Sequence, residues 1–263
     1  MLSSNKKPYM AENNDLPPSE ADLLATHYID HHHPDIVSLA KEIIKQSKSN
    51  SSTEHAVLIH NYVRDSILFG WNGRFWNETA SELLSSRRGY CHTKSSLFAA
   101  LLRAVNIPCR VQFVDINSQI LDGLLDPRTT YVLHTYTDVF NAEQNRWCHV
   151  DSYIVDNALV SAAKEKLVQE NKVIGYGIHR DGQSEWNGVD NTFIQYVTDS
   201  ALNQKLERPL SKHVYGDFTD IGAFYTAVDQ HGIQDPLTNR LLKWIFPLLI
   251  MPANRAAQHL RKQ

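Results

Sequence analysis

The sequence predicts an α+β fold in which a central helix packs on an antiparallel sheet, and three observations carry that prediction. Before Asn106 and after Tyr153 the apolar residues recur at the helical period, whereas between Cys109 and Asp151 they alternate at a period of two. A short polar link at 141–145 joins two alternating runs, which makes them an antiparallel hairpin. The chain has 263 residues, 42% apolar and 21% charged, enough for one large domain or a core with an appended subdomain.

Residues 1–18 are polar, end in Pro17 and Pro18, and read as a flexible lead-in. A short helix over 19–29 follows, with Ser19 as N-cap and Asp22 closing a capping-box variant. His31, His32 and His33 are neighbours and cannot all face one metal ion without a special backbone. They read as a turn ahead of a helix that starts near Pro34. That helix places Ile36, Val37, Leu39, Ala40, Ile43 and Ile44 at helical spacing. Ser52 or Thr53 caps the next, whose apolar stripe runs from Ala56 to Ile67. A Gly-, Asn- and Trp-rich loop over 69–77 and a short helix over 79–84 lead to a tight turn at 87–91. Gly89 is expected to supply a positive φ or a close backbone approach there.

A broad apolar helix runs from Cys91 to about Val105 and stops at Asn106-Ile107-Pro108. Strands are expected over 109–115, 131–140 and 146–151. Further helices are expected over 158–171, 191–203, 218–230 and 239–246, with a long loop over 175–190.

Composition excludes several function classes. With 26 Lys+Arg against 29 Asp+Glu the net charge is −3, too balanced for a nucleic-acid binder driven by bulk charge. Three cysteines make no disulfide framework and fit a reducing compartment. No apolar run follows Lys6 and Lys7, and none reaches about 18 residues, so neither a signal peptide nor a membrane span is expected, and a cytoplasmic location is. The tail from Arg240 carries Lys243, Arg255, Arg261 and Lys262 around the apolar run 244–252. That is the pattern of a helix lying on an anionic membrane surface, and equally of a terminal helix docked on the core. The second reading is favoured, because apolar surface is usually buried against its own protein.

The chemistry-bearing feature is Cys91 at the first turn of the central helix, two residues after Gly89. First-turn amides and the positive helix end stabilise an anion, so a thiolate is favoured there. The hairpin offers its partners: His134 on one strand and Asp151 at the end of the other, close enough for an imidazole to meet a carboxylate. His149 and Asp138 compete for these roles, but His149 shares a strand with Asp151 and Asp138 shares one with His134, so neither faces its partner across the hairpin. His92 is expected to point about 100° away from Cys91 around the helix and to be a poor base. Cys109 and Cys148 read as strand packing. Arg103 reads as one half of a structural ion pair, with Arg110 open as an anion binder, and Lys94 as a solvated lysine.

Residues 88–110, with their Gly-Tyr-Cys, Ala-Leu-rich helix, Arg-Ala and Ile-Pro-Cys-Arg, resemble the nucleophile segment of the transglutaminase-like superfamily. Residues 133–140 resemble its His strand and 146–152 its Trp and Asp strand. Ser95 and Cys109 stand where Ala or Gly is common. The resemblance covers about 58–155 and implies a papain-like core over 19–155, with N-terminal helices and a Cys-His-Asp triad carried over to Cys91, His134 and Asp151. A mostly helical extension, 156–263, would pack on it. It also implies a tryptophan supporting the oxyanion. Trp71 and Trp76 are both candidates, Trp71 favoured because it directly follows Ile67-Leu68-Phe69-Gly70, and packing is the competing use of either indole.

The implied activity is acyl transfer through an acyl-enzyme on a protein or peptide substrate, resolved by water or by an amine, with hydrolysis favoured. No cofactor or metal is expected, and no Asp-x-Asp-x-Asp-Gly calcium loop is present. The alternative is a catalytically silent module of the same fold that binds partners through its C-terminal helical region.

Overall fold

The computed structural model describes residues 16–229 and 240–263. Residues 1–15 of the expected lead-in, and Gln230 and Asn239 at two expected helix ends, lie outside the described residues. The helix expected over 19–29 is only a single 3-10 turn, Glu20–Leu23. Asp22 does take the backbone N–H of Ser19, at 2.7 Å, but its carboxylate is also gripped by Arg110, whose Nε lies 2.8 Å from Oδ1. That grip fixes the turn against a strand instead of letting it grow. Leu16, just before it, accepts the Trp147 indole N–H at 2.8 Å.

Helix α1 (Pro34–Ile44) starts where Pro34 predicts, with the His33 ring accepting the Asp35 amide. Helix α2 (Ser52–Ser66) is capped by Ser51, one residue ahead of the expected caps. Strand β1 (Leu68–Phe69) precedes helix α3 (Ala80–Ser86), which begins with a Thr79/Glu82 capping box. Strand β2 (Arg88–Gly89) pairs in parallel with β1 and feeds directly into helix α4 (Cys91–Ala104).

Strand β3 (Cys109–Asn117), β4 (Tyr131–Asn141) and β5 (Arg146–Val150) follow. The β4–β5 hairpin is antiparallel, with Asp138 opposite His149 and Thr137 opposite Val150, as its short link requires. Helix α5 (Asn157–Gln169) and the two-residue strands β6 (Ile174–Gly175) and β7 (Ile178–His179) come next.

The helix expected over 191–203 does not form; only a 3-10 turn at Ala201–Lys205 lies there. Its amides are spent elsewhere, as the site below explains. The sequence reading also missed strand β8 (Ser211–Phe218), which pairs with β3 and gives a four-stranded sheet of order β5-β4-β3-β8. As an edge strand half open to solvent, β8 lacks the strong apolar alternation of its neighbours. It occupies the start of the helix expected over 218–230, which begins later, as α6 (Ile221–Asp229).

Helix α4 packs on one sheet face inside a shell of helices; its Leu97, Phe98, Ala99, Ala100, Leu101 and Leu102 are fully buried. The other face holds a smaller core of Val114, Ile116, Tyr136 and Ile174. Helix α7 (Arg240–Leu260) runs through Pro247 and Pro252 instead of stopping at the first. It buries Ile250, Ala253, Ala257 and Leu260, one face at helical spacing, and that docking outweighs the lost backbone bonds. No helix among the described residues is long and apolar enough to cross a membrane.

Candidate active site

The site is built on the junction β2–α4. Gly89 takes no positive φ; Arg87, at φ 55°, turns the chain. The glycine is needed for close approach. A Cβ there would stand 2.6 Å from Thr93 Oγ1 and 2.8 Å from Leu83 Cδ1. The Gly70 amide donates to the Gly89 carbonyl at 2.9 Å, and the Tyr90 amide to Thr93 Oγ1 at 3.3 Å, so the approach to the helix is pinned on both sides. Cys91 is therefore the first residue of α4, its side chain buried at 7% exposure beside the helix's unpaired amides.

Burial pushes the Cys91 thiol up, but the neighbouring His92 and His134 rings outweigh it and bring the group down to about 5. Cys109 and Cys148, which lack such neighbours, are pushed up by burial; their thiols bond backbone carbonyls, as strand-packing residues should. The three cysteines thus divide by environment, not by exposure, since all are buried.

His134 Nε2 lies 3.1 Å from Asp151 Oδ2, both side chains fully enclosed. Burial would lower the imidazole's pKa; the bond to Asp151 and the neighbouring Cys91 sulfur reverse this and raise it to about 9. The second ring nitrogen, Nδ1, is buried and completes no well-formed hydrogen bond at rest, which leaves it turned to no competing acceptor. Asp151 stands one residue beyond the end of β5 and meets His134 diagonally, not directly across the hairpin.

What holds Asp151 was invisible in the sequence. Its carboxylate accepts the backbone amides of Ile194, Gln195 (3.2 Å) and Tyr196 (2.9 Å). This cradle is possible because Thr192 bridges to Val150 and runs on beside the hairpin as an extra extended segment. A helix over 191–203 would have used those amides internally. Backbone donors carry no side-chain signature, so only the tertiary path of the chain reveals them.

A second device registers the helix against the His strand. Tyr153 Oη bonds Ser95 Oγ at 2.6 Å and Thr137 Oγ1 at 2.8 Å, and Ser95 also reaches Thr135 at 3.1 Å. Ser95 lies one turn after Cys91, and Thr135 lies next to His134. The departure from a small apolar residue at 95 thus ties the two halves of the site together.

Several expectations are corrected here. His92 does not point away: its Nδ1 lies 3.0 Å from Cys91 Sγ. At a helix start the Cα–Cβ bonds tilt toward the open N-terminal end, where no preceding turn separates adjacent side chains, so the interior spacing of 100° does not keep them apart. Lys94 is not solvated; it is fully buried and donates to the Ile67 carbonyl at 2.7 Å, and burial brings it down to about 7. Arg103 forms no ion pair among the described residues but grips the carbonyls of Leu24 and Cys109. Arg110 is the one that pairs, with Asp22, and its guanidinium lies 4.1 Å over the Trp147 ring.

His149 and Asp138 form their own pair, at 2.5 Å, and Asp138 also takes Gln112, so neither competes for Cys91. Trp71 stacks on Tyr90, the residue before Cys91, with ring centroids 6.2 Å apart. Trp76 instead stacks on Tyr225 and meets Tyr28 edge-on. Among the described residues no group of three or more His, Cys, Asp or Glu could hold a metal ion.

The model of the transglutaminase-like superfamily matches residues 37–152, from α1 to just past Asp151. No curated protein matches the chain. Among solved structures, a candidate cysteine protease from Cytophaga hutchinsonii overlaps 49% of this chain and 40% of its own, at 18% identity and a TM-score of 0.39. Red sea bream transglutaminase overlaps 53% of this chain and 32% of its own, at 12% identity and a TM-score of 0.36. A candidate protease from Parabacteroides distasonis overlaps 57% and 32%, at 13% identity and a TM-score of 0.34. The chain therefore spans less than half the length of each.

Proposed function

We propose that the transglutaminase-like core carried by residues 37–152 makes this protein a cysteine-nucleophile acyl-transfer enzyme acting on peptide or glutamine-type amides. One observation carries the reading: a thiol drawn into its charged form at the head of a buried helix, beside an imidazole whose far nitrogen is fixed by a cradled carboxylate.

In this mechanism Cys91 Sγ attacks the amide carbon, and the amine leaves with a proton from His134 Nδ1. Asp151 fixes the ring's orientation and stabilises the imidazolium. The thioester left on Cys91 is then opened by water, giving hydrolysis, or by a primary amine, giving transfer; His134 takes back the proton in either case. Hydrolysis is the outcome we favour. Trp71 is the indole we assign to the oxyanion, together with the Cys91 backbone N–H. It stands against Tyr90, and its own N–H has no partner among the described residues, whereas Trp76 is taken up by Tyr28 and Tyr225.

The test is direct. Casein and a blocked glutaminyl peptide are incubated with the full chain, with and without a fluorescent primary amine. Peptide fragments or free ammonia are expected without the amine, and covalent label with it; Cys91→Ala and His134→Ala should lose both. An unaltered chain that cleaves, deamidates and labels neither substrate would leave a silent binding module as the better account.

A further inference from the structure

His92 is the imidazole that the mechanism above leaves unused, and it touches the reacting sulfur. Its Nδ1 is 3.0 Å from Cys91 Sγ, and the residue is 3% exposed. Its ring sits beside Tyr90, with centroids 5.0 Å apart, and edge-on to Phe113 at 6.5 Å, so it is packed in place.

Of the buried histidines outside the His134 site, His31 also leaves a ring nitrogen without a partner, whereas two others use both ring nitrogens. His60 bonds Asn61 through one nitrogen and Ser152 through the other. His179 bonds Asn203 and the Asp181 amide. His92 differs. Its Nε2 is buried without a partner, and the Cys91 sulfur is its one hydrogen-bond partner among the described residues. An unsatisfied buried nitrogen is costly, and its retention beside a nucleophile calls for a functional account.

The groups that face the thiol are few. From α4 come His92 and the first-turn amides; from β4 comes His134, with Asp151 behind it. Lys94, in the same turn, is directed to the Ile67 carbonyl. The Tyr153 hydroxyl is taken by Ser95 and Thr137, and burial pushes its ionisation upward.

We propose that His92 is a second catalytic histidine, its Nδ1–H donating to the Cys91 thiolate, so that His92 holds the sulfur's charge while His134 moves the proton. The inference deepens the acyl-transfer reading and rests on it. At rest the thiolate takes the His92 N–H, with the His134 ring beside it as charge partner. During acylation the sulfur's electron pair forms the C–S bond, the C–N bond breaks, and the leaving amine takes the His134 proton. During deacylation the incoming water or amine gives its proton to His134, a C–O or C–N bond forms, and the C–S electron pair returns to Sγ. His92 neither gives nor takes a proton in this sequence. Its N–H is already aimed at the atom where the charge reappears, which is where a preorganised donor acts most strongly.

The experiment is alkylation by iodoacetamide against pH, read by mass spectrometry on the Cys91 peptide of the full chain. In the unaltered chain the reaction should rise far below the ordinary thiol value of 9.0. His92→Phe, which keeps the ring's volume but not its N–H, should move that rise up by about one to three pH units. His92→Asn, which restores an N–H donor without a base, should recover most of it. His134→Ala should keep part of the low-pH reactivity, and the double variant with His92→Phe should lose it. A low rise that His92→Phe leaves in place overturns this inference alone. Equal impairment in His92→Phe and His92→Asn overturns the donor role in favour of a base. An unaltered chain that reacts only near the ordinary thiol value overturns both this inference and the acyl-transfer reading.

Discussion

A thiol as enclosed as Cys91 would ordinarily keep its proton, because burial penalises the charged form. Here two imidazoles and a helix start oppose burial and win. The consequence is a pair, thiolate with imidazolium, and the pair titrates as a unit. The sign of each limb follows. Cys91 is held down to about 5, so the thiolate on which the proposed mechanism rests is lost as pH falls through that value. His134 is held up at about 9, so the proton that the proposed mechanism gives the leaving amine is lost as pH rises through that one. The acyl-transfer rate on the glutaminyl peptide is expected to be bell-shaped between these limits, and a rate that climbs steadily through pH 9 would contradict the assignment of His134 as acid.

Among elements, the working unit is α4 against β4, and its alignment rests on hydroxyls. Tyr153, fully buried, links Ser95 on the helix to Thr137 on the strand. Tyr153→Phe keeps the ring and deletes the link, leaving two buried hydroxyls short of a partner. A loss of about 1–2 kcal/mol in urea unfolding is expected, with an unchanged pH profile for Cys91 alkylation, since neither imidazole is touched. The helix, its first residue and both strands were legible from apolar period, the Gly-Tyr-Cys turn and the short 141–145 link. The hydroxyl link was not, because Ser95 alone reads only as a small residue on a helix. Nor was the turn of His92 toward Cys91, because helical spacing rules describe the interior of a helix, and both residues lie in its first turn.

At the scale of the molecule, the C-terminal extension completes the core. Residues 194–196 cradle Asp151, β8 closes the sheet beside β3, and α7 seals the segment before Cys91. Asn254 bonds both the amide (3.0 Å) and the carbonyl (2.7 Å) of Trp71. Arg261 reaches Asp156 at 2.6 Å and the Phe69 carbonyl at 2.7 Å. Asp156 also caps α5 and takes the Phe69 amide, so one carboxylate joins β1, α5 and α7. Burial opposes its ionisation, but Arg261 and the Phe69 amide outweigh burial and lower its pKa below the ordinary 3.8. Its stabilisation is therefore complete above that value and is lost as pH falls further. Arg261→Ala strands the Asp156 charge and is expected to cost about 3 kcal/mol at neutral pH, measurable by urea unfolding and smaller at strongly acid pH. A cost that stays the same at acid pH would show that packing, not the ion pair, holds α7.

The central helix with Cys91 as its first residue, the antiparallel hairpin, and the placing of His134 and Asp151 on that hairpin were readable from the chain alone. Each depends on local patterns: apolar period, turn residues, and a cysteine at a helix start. Tertiary structure alone decided which backbone amides bind Asp151, which tryptophan stacks on the residue before Cys91, where α7 ends and how many imidazoles neighbour the sulfur. Those contacts join residues distant in sequence, or side chains at an element's end, and local periodicity carries no information about either.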